Sequence, residues 1–592
     1  MTNDNRNWIL FILSAGLIYI SFMIFVSGPQ EQRLAAERKV AQAVAPAAPT
    51  GAAPTLSLAA ALAQSPRVAI DTPSLSGSIN LKGGRFDDLF LKGYHEEVST
   101  TSPLVNLLRP EGVTDAYYAS QGWVGANLPG LPDDNTVWTL ASPGALTPTH
   151  PVTLTYAAPS GLTFARTIAV DAKSMFTITD TAANPGAGPV TLAPYASVKR
   201  IGLPETLGKT GNVHEGAIGV LGADTLKLTL SRYKDWKKKG EQDLPSHGGW
   251  LGITDKYWMT TFIPPQSEAI SASLRAAPDP AGEDIYEAAY LGAARSIAPG
   301  AQASETTHLF AGAKTMPAIN AYKASLGIPR FDDAVDWGIL SFLTKPLFTL
   351  LEFFYQKVGN FGVAILMLTV VIRVVTFPLA NKGFEMGVKM KKIQPELQAL
   401  QKRLKDDPAA QQKEMMALYA REKVNPVTGC IPMLLPIPVF YALFKVLNVT
   451  IEARHAPFFG WIHDLSARDP TTIINLFGLI PWDPSITPLI GPLLGGLLHV
   501  GAWPIAYGLA MSLTQAMTPM QGVDPAQQMM FRFMPLIFTF IMAQYAVGLL
   551  IYWTWSSLMT IVQQYVLMRR FKVSNPIDDF LGRFQAKPQG LG

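Results

Sequence analysis

The sequence predicts a polytopic α-helical membrane protein that carries a large all-β domain and a basic helical hairpin outside the membrane. Three observations predict this fold class. Long apolar runs lie towards the two ends of the 592-residue chain, the region between them alternates short apolar and polar segments, and only 16% of all residues are charged. The net charge of +4 gives no support to nucleic-acid binding, which needs a concentrated basic face.

The first apolar run, Trp8–Val26, is long enough to cross about 30 Å of hydrocarbon. A cleaved signal peptide is the alternative. The run is longer than a usual signal-peptide core, and Gly28-Pro29-Gln30 follows it in place of a small-residue cleavage site. We therefore expect an uncleaved signal anchor over residues 1–27, followed by an Ala/Pro-rich linker over residues 28–75.

Residues 76–335 have the pattern of a β domain. Short alternating stretches such as Leu162–Ile168 and Phe176–Thr179 are separated by Gly- and Pro-containing turns. Repeated short strands with turn signals between them are typical of a β-sandwich, and no alternation of strands with helices accompanies them.

Helical periodicity returns after the β domain. Residues 336–358 include an amphipathic stretch, Lys345–Val358, that suits a helix lying in the membrane interface. A second span covers residues 359–380. From residue 381 to residue 423 ten Lys/Arg stand against six Asp/Glu, and we expect a basic hairpin over 381–425 that folds back at Asp406-Asp407-Pro408.

Four further spans are expected within residues 429–568. Two of them are Cys430–Val449 and Leu497–Met517. The run Met529–Met568 would be nearly ~60 Å long as one helix, about twice the membrane, so it must double back, most plausibly at Tyr545–Gly548. The proline-rich segment Thr471–Leu494 is interpreted as an extramembrane loop near the interface. The total is six spans.

Charge predicts the orientation of these spans. The hairpin and the tail at residues 569–592 are basic, whereas Glu452–Asp483 has two Arg against four acids. The positive-inside rule then puts the hairpin, both termini and the Thr518–Gln528 loop in the cytoplasm. The β domain lies outside.

Arg373 is the most informative single residue, because it lies inside the apolar stretch Ala364–Val375. No predicted span supplies a carboxylate that could neutralise it. A guanidinium in hydrocarbon costs several kcal/mol unless water or a partner reaches it. Thr369 and Thr376 share its helix face, so we predict a wet, positively charged pocket within the bilayer.

Polar side chains also recur on three other predicted spans, which suggests one shared polar interior. These side chains are Tyr441, Lys445 and Asn448; Ser512 and Gln515; and Tyr552, Ser556, Thr560, Gln563 and Gln564. For any single Ser or Thr, a hydrogen bond that joins two helices is the better explanation. Lys445, near the outer end of its helix, is expected to be a snorkelling anchor.

Other signals are weak. Gly202–Thr210 resembles a phosphate loop but has five residues between its glycines instead of four. His95-Glu96-Glu97 and His214-Glu215 lack metal-site spacing and are expected on the solvated surface. The sequence therefore predicts no catalytic residue, no metal site and no cofactor.

Several motifs occur in order along the chain, beginning with Leu81–Arg85 in the β region. The others are Glu414–Tyr419, Glu422–Pro426, Gly429-Cys430, Trp461–Ser466, Asp469-Pro470 and Ile561–Gln564. Together they resemble the YidC-type membrane protein insertases of Gram-negative bacteria, strongly over residues 330–570 and by layout over the first helix and the β domain. One departure is Tyr545–Gly548, where the family often has Phe-Pro-x-Gly.

The resemblance implies a five-helix insertase core and a periplasmic β-supersandwich related to sugar-mutarotase folds. It also implies a hydrophilic groove, open to cytoplasm and lipid, whose arginine corresponds to Arg373. Thr369 and the pair Tyr552-Trp553 match the family's substrate-contacting positions. The complete candidate groove is Arg373, Thr369, Thr376, Ser512, Gln515, Tyr552, Trp553, Ser556 and Gln563.

The function that the resemblance implies is non-enzymatic insertion and chaperoning of nascent membrane proteins in the inner membrane, alone or with the Sec translocon. The hairpin and the basic tail match regions that meet the ribosome and the signal-recognition receptor, and the lipid bilayer is a further partner. Two alternatives remain. A secondary transporter would show internal repeats and ionisable coupling residues. An anchored periplasmic sugar-processing enzyme would need converging carboxylates or histidines in a cleft.

Overall fold

The computed structural model describes residues 56–585 with internal gaps. The gaps are residues 100, 127, 205–206, 208–212, 280–281, 405–406, 423–435, 481, 483, 485–486, 488–494, 497, 518–524 and 573–574. The predicted first span, Cys430, and most of the phosphate-loop-like segment Gly202–Thr210 lie outside the described residues. The chain divides into two compact units. The first comprises residues up to Tyr94, 104–312 and 322–331, and the second comprises 95–103, 313–321 and the residues from Asp332 onward.

The first unit is built from nineteen antiparallel strands. Their bounds are β1 Arg67–Asp71, β2 Leu75–Asn80, β3 Arg85–His95, β4 Leu104–Leu108, β5 Tyr117–Val124, β6 Thr139–Leu140, β7 Val152–Ala157, β8 Thr163–Val170, β9 Met175–Ala183, β10 Val190–Ile201, β11 Gly216–Leu221, β12 Lys227–Arg232, β13 Gln242–His247, β14 Trp250–Thr254, β15 Trp258–Ile263, β16 Ala269–Pro278, β17 Asp284–Gly292, β18 Arg295–Ile297 and β19 Gln302–Ala313. They form two sheets, of ten and nine strands. The prediction of a β-sandwich is confirmed.

The ten-stranded sheet follows the order β1-β2-β3-β5-β10-β17-β16-β13, with β4 paired to β3 and β18 to β10. The other follows β12-β11-β14-β15-β19-β9-β8-β7-β6. Burial alternates along strands such as β8, where Phe164, Ile168 and Val170 point into the apolar core. Strands β11 and β14 are instead buried at every position, so the period of two describes the burial of only part of the sandwich.

Arg166 is one of the buried charged residues of the sandwich, and its side chain is fully buried. Its Nε and Nη2 donate to the two carboxylate oxygens of Asp180 at 2.7 and 2.9 Å, and its Nη1 donates to the Gly84 carbonyl at 3.1 Å. Gly84 has a φ of +59°, and a Cβ there would lie 2.6 Å from Nη1. This close approach gives a physical reason for glycine in the Leu81–Arg85 motif.

The β domain begins earlier than the sequence predicts. Strand β1 starts at Arg67, and a short helix, Leu58–Leu62, precedes it, both inside the segment interpreted as a linker over 28–75. The burial of β1 alternates, with Val68 and Ile70 inside the core. The linker prediction rested on the Ala/Pro-rich composition of the preceding residues, and a strand of only five residues does not change that composition enough to be recognised.

The expectation that His214-Glu215 lies on the solvated surface is wrong. Both residues are buried, at 6% and 4% exposure, and His214 Nε2 lies 2.8 Å from the Ala217 carbonyl. They immediately precede β11, and their polarity misleads because the neighbouring backbone provides hydrogen bonds in the interior.

The helices complete the described fold. They are α1 Leu58–Leu62, α2 Tyr233–Lys239, α3 Met316–Ser325, α4 Ser341–Val358, α5 Phe361–Arg403, α6 Pro408–Arg421, α7 Pro436–Val449, α8 Ala502–Met517, α9 Pro525–Met542, α10 Val547–Arg570 and α11 Pro576–Gln585. In the second unit α4 packs on α5 and α7, and α10 packs on α5, α7 and α8.

One described helical segment, Phe361–Gly383 of α5, has the length and apolar composition of a membrane span, and Ile437–Val449 and Arg532–Met542 are shorter apolar segments. Helix α10 is long enough at 24 residues, but its row of Tyr, Ser, Thr and Gln side chains dilutes its apolar character. The run Met529–Met568 is divided into two helices near the predicted turn, because α9 ends at Met542 and α10 begins at Val547. The reversal of direction stays a prediction.

Several predicted boundaries differ from the structure. The second span (359–380) and the first arm of the hairpin (381–425) form one continuous helix, since neither Pro378 nor Pro395 interrupts α5. The hairpin does fold back at the expected place, between Arg403 and Pro408.

Three other helix starts are shifted. The helix predicted to lie in the membrane interface starts at Ser341 instead of Lys345, and Thr344 in its first turn donates its hydroxyl to the Leu340 carbonyl. The helix in the fourth predicted span starts at Ala502, not Leu497. Helix α9 starts at Pro525, inside the predicted loop Thr518–Gln528.

Candidate functional site

Arg373 lies on α5 where that helix packs against α10. Its Nη2 donates to the backbone carbonyl of Ser556 at 2.9 Å and to the Ser556 hydroxyl oxygen. The same carbonyl accepts the Thr560 hydroxyl at 2.8 Å. A helix carbonyl that is already bonded along its own helix has a second lone pair, and here this lone pair faces the guanidinium.

Within the described part of the chain, no carboxylate forms an ion pair with Arg373, and Tyr552 is the titratable group that faces it. A guanidinium has five N–H donors. Nη2 uses its donors on Ser556, whereas Nε and Nη1 have no acceptor among the described residues. Neither nitrogen is fully buried, so water can reach both. The positive charge is therefore held in place, not neutralised, and donors stay available to water or to another molecule.

The outer face of α5 is apolar beside this residue. Val374 and Val375 are 67% and 73% exposed, which is the exposure of a helix side that faces lipid. Arg373 points the other way, towards α10. One helix thus presents valines outward and a cation inward, a division that the linear sequence around Arg373 does not reveal.

Thr369 and Thr376 lie on α5 as predicted, but their hydroxyls bond within that helix. Thr369 Oγ1 donates to the Ile365 carbonyl at 2.7 Å, and Thr376 Oγ1 donates to the Ile372 carbonyl at 2.8 Å. Thr369 is buried at 1% exposure. Neither hydroxyl joins two helices, so the alternative of helix-to-helix bonding does not describe them.

Tyr552 and Trp553 point to different neighbours although they are adjacent. Tyr552 is 4% exposed and lies one turn before Ser556, near the guanidinium. The Trp553 ring is stacked between Phe440 of α7, at 4.5 Å, and Tyr507 of α8, at 5.3 Å. This aromatic stack connects three helices and was missed by the sequence reasoning. The recurrence of aromatics in the apolar runs was the available signal.

Ser512, Gln515 and Gln563 are the remaining predicted groove residues. Ser512 is exposed and donates its hydroxyl to the Gly508 carbonyl at 2.8 Å, whereas Gln515 and Gln563 are half-buried. No hydrogen bond between described residues joins any of the three to Arg373. The structure thus brings together Arg373, Tyr552 and Ser556. The assignment of the candidate residues to one groove stays a prediction.

Lys445 is not a snorkelling anchor, which corrects the sequence interpretation. Its side chain is buried, and Nζ lies 2.8 Å from the Asp336 carboxylate. Asp336 precedes α4 and is far from Lys445 in sequence, so no local pattern shows the pair. A buried lysine beside a carboxylate contrasts with Arg373, which has none.

The turn before α10 is held by the segment Trp461–Ser466. The first two backbone amides of α10, those of Val547 and Gly548, donate to the carbonyls of Ala467 and Leu465 at 2.7 and 3.0 Å. A Cβ at Gly548 would lie 2.9 Å from the Leu465 carbonyl oxygen. Glycine is therefore needed where α10 begins, and this contact sets the start of the helix that carries Ser556.

Fold and site together define a class of protein. It is a helical membrane protein with a large antiparallel β-sandwich domain, whose helical unit holds an arginine that has no carboxylate partner among the described residues. Two family models match the chain, "YidC periplasmic domain" over residues 67–350 and "60Kd inner membrane protein" over residues 353–575. The first match begins where β1 begins.

Similar proteins extend over the whole chain. A membrane protein insertase YidC of Caulobacter vibrioides is 53% identical and covers 100% of both chains, and one of Rhizobium etli is 44% identical and covers 99% of both. Among solved structures, an active YidC insertase with its first transmembrane domain resolved is 15% identical and covers 84% of this chain and 92% of its own. Its TM-score is 0.35, which is too low to support a conclusion about the fold.

The chain belongs to the YidC family of membrane protein insertases. It is an inner-membrane protein with a periplasmic β-sandwich domain and an insertase domain. Insertion is not an enzymatic function, so family membership rules out the anchored sugar-processing enzyme, and it leaves the transporter alternative without support.

Proposed function

We propose that the chain moves nascent hydrophobic segments from the cytoplasmic side into the lipid bilayer through a hydrophilic groove that contains Arg373. The observation that carries this proposal is the state of the guanidinium. It is fixed by Ser556, lacks a carboxylate among the described residues, and keeps donors at Nε and Nη1. Such a group attracts an anionic partner that is not part of this chain.

The physical problem is the polar flank of a new span. Carrying a charged or hydrogen-bonding flank across the whole hydrocarbon layer costs several kcal/mol per charged group, whereas a water-filled groove shortens the dry path. Arg373 attracts acidic residues of short extracellular tails by charge. The apolar part of the client then leaves along the third and fifth spans, and its transfer into lipid supplies the free energy, so no nucleotide is needed.

In this proposal the groove surface is formed by residues of three helices, α5, α8 and α10. Tyr552 and Ser556 form its wall beside the arginine, and Thr369 and Thr376 continue it along α5. Ser512, Gln515, Trp553 and Gln563 extend it towards the other helices. Support comes from the packing of α10 against α5 and α8, the two helices that carry the candidate residues outside α10.

The arrangement in the membrane follows the charge pattern. Six spans place both termini, the hairpin of α5 and α6, and the tail from residue 569 in the cytoplasm. The basic hairpin and tail are the surfaces that we expect to meet the ribosome and the signal-recognition receptor, and the Sec translocon is a further partner. The two arms of the hairpin are joined by the exposed ion pairs Arg421–Glu396, at 2.5 Å, and Arg403–Glu414.

The experiment is insertion of a single-span client with an acidic tail into liposomes that contain the purified chain. Wild type is compared with Arg373→Lys and Arg373→Ala, and empty liposomes give the background. Insertion by wild type and the lysine variant, with a loss of about tenfold or more for alanine, supports a charge-dependent groove. Insertion no better than with empty liposomes would contradict autonomous insertase activity.

A further inference from the structure

An exposed apolar loop lies between α7 and α8. The apolar loop, residues 471–482, has no charged residue between Asp469 before it and Asp483 after it. Six of its large apolar side chains are exposed: Ile473 (44%), Leu476 (54%), Phe477 (46%), Leu479 (83%), Ile480 (43%) and Trp482 (41%). So many exposed apolar side chains on one short loop mark a surface that another apolar phase covers.

The base of the loop is rigid. The buried Asp469 accepts hydrogen bonds from the Thr471 amide at 3.0 Å, the Thr471 hydroxyl at 2.7 Å and the Trp503 amide at 2.8 Å. The Ile473 amide donates to the Val500 carbonyl at 3.0 Å. The loop is thus fixed to the start of α8, and the position of its tip relative to that helix is set.

The tip satisfies its own backbone. The Phe477 amide donates to the Thr472 carbonyl at 2.7 Å, and the Asn475 side chain bonds both the Gly478 amide, at 3.0 Å, and the Trp482 carbonyl, at 3.1 Å. Internal pairing of this kind lowers the cost of moving a loop into a less polar phase, because fewer peptide groups need water.

The tip of the loop also contains two strained backbone residues. Leu476 and Phe477 have φ values of 51° and 59°, the left-handed region that non-glycine residues rarely occupy. Two consecutive strained residues form a tight turn whose apolar side chains have no partner within the described residues that would bury them. Strain of this kind persists where function requires it.

We propose that the tip of the apolar loop inserts into the interfacial layer of the outer leaflet, with lipid as its occupant. Three features favour lipid over a protein partner: the absence of charge, a base that is fixed to the start of the apolar helix α8, and exposed tryptophans near that base and at residue 482. Trp461 and Trp482 are 45% and 41% exposed, and tryptophan prefers the headgroup level. The inference rests on the proposed function in one respect only, the assignment of the loop to the outer leaflet.

The loop then gives the insertase core a second interfacial contact besides α4. Helix α4 exposes Phe342 at 75% and Phe353 at 52%. Two separate interfacial contacts hold the helix bundle to the bilayer surface at two places, which restricts its tilting more than one contact does. The predicted depth of the tip is about 5–10 Å into the headgroup and acyl boundary.

The test measures depth directly in the full-length chain in nanodiscs. In a Cys430→Ser background, Leu479→Cys, Ile473→Cys and the exposed β-sandwich position Thr306→Cys each carry one nitroxide label. Collision rates with oxygen, which concentrates in lipid, and with a nickel chelate, which stays in water, are compared. Leu479 is already exposed, so its substitution leaves the packing intact.

The proposal expects a several-fold higher oxygen-to-nickel ratio at Leu479 than at Thr306, with Ile473 between them. A ratio at Leu479 equal to that at Thr306 would overturn it, because the tip would then lie in water. Low collision with both probes would also overturn it, since a protein surface would then cover the tip. The measurement does not depend on insertion activity, so failure of the groove proposal would leave the depth gradient unchanged.

Discussion

Ser556 is the residue through which α10 holds the arginine, and its two contacts have different origins. The carbonyl belongs to the helix backbone and remains in any variant, whereas the hydroxyl is a property of serine. The sequence placed Ser556 in a polar stripe but could not show that its carbonyl is shared with Thr560. Side-chain identity is visible in a sequence, and a backbone acceptor is not.

Ser556→Ala is predicted to destabilise the helical unit by about 1 kcal/mol, because one charge-assisted hydrogen bond to Arg373 is lost while the carbonyl contact remains. Insertion of an acid-tailed client should fall less than in Arg373→Ala. Thermal unfolding in detergent and the liposome assay measure both effects. Thr349→Val is the control, since its exposed hydroxyl bonds within α4 and lies outside the candidate groove. A control effect as large as that of Ser556→Ala would sink the explanation.

Glu452 is a buried acid outside the spans and predicts a pH dependence. Burial, with a smaller contribution from the nearby Glu352 carboxylate, raises the pKa of Glu452 to about 7. Its Oε1 accepts the Met316 amide at 3.2 Å, and Oε2 has no hydrogen-bond partner among the described residues. The folded state therefore binds a proton that the unfolded state releases near its ordinary pKa of about 4.3.

Stability should then fall as pH rises from about 4.5 to 7, because the folded state holds more protons than the unfolded state throughout this range. Glu452→Gln should remove this fall and stabilise the chain at pH 8, by about 3 kcal/mol at most. Unfolding temperatures at pH 5, 6, 7 and 8 test the prediction. The exposed Glu97→Gln serves as the control. An unchanged pH profile in Glu452→Gln would refute the assignment.

At the scale of elements, the continuous helix α5 joins the arginine to the basic hairpin. The sequence predicted a boundary at residue 380 because the composition changes there from apolar to basic. Composition reports the medium around a helix, however, and not whether the helix continues. A rigid connection from Phe361 to Arg403 means that a force on the hairpin reaches the groove residues without an intervening loop.

The cap of α6 is the element-scale contact that can be tested. Asp407 accepts the Ala410 amide at 3.0 Å and begins the second arm of the hairpin. Asp407→Ala should destabilise α6 by about 1 kcal/mol, and its amides should exchange about fivefold faster. Ribosome binding should weaken while liposome insertion is retained, and Asp407→Asn, which keeps a capping oxygen, should behave as wild type. Equal exchange in all three chains would show that the cap contributes nothing.

At the scale of the whole molecule, the sequence predicted the fold class from periodicity alone and missed the contacts between distant segments. Alternation revealed the sandwich, and apolar length revealed the helices. The Lys445–Asp336 pair, the stack of Phe440, Trp553 and Tyr507, and the hold of Leu465 on Gly548 all join residues far apart in the chain. No local pattern encodes such pairs, so the sequence predicts a set of candidate site residues and not their arrangement.

The β-sandwich should be open to destabilisation without loss of the insertion activity of the helical unit. Arg166→Ala leaves Asp180 buried without its partner and should destabilise the β-sandwich by about 3–5 kcal/mol. Lys237→Ala, whose exposed side chain pairs with Asp284, should cost at most about 1 kcal/mol. Liposome insertion by both variants should equal that of wild type at temperatures where the helical unit stays folded. Loss of insertion in Arg166→Ala alone would show that the sandwich takes part in insertion.

The most direct test of the arginine groove is a double-mutant cycle between the chain and its client. Wild type and Arg373→Ala are each assayed with an acid-tailed client and with the same client carrying Asp→Asn in its tail. The account predicts that the alanine variant loses about tenfold in insertion rate with the acidic client and little with the neutral one, a coupling of about 1.4 kcal/mol. Equal losses with both clients would contradict it, because Arg373 would then serve the structure of the helical unit and not the charge of the client.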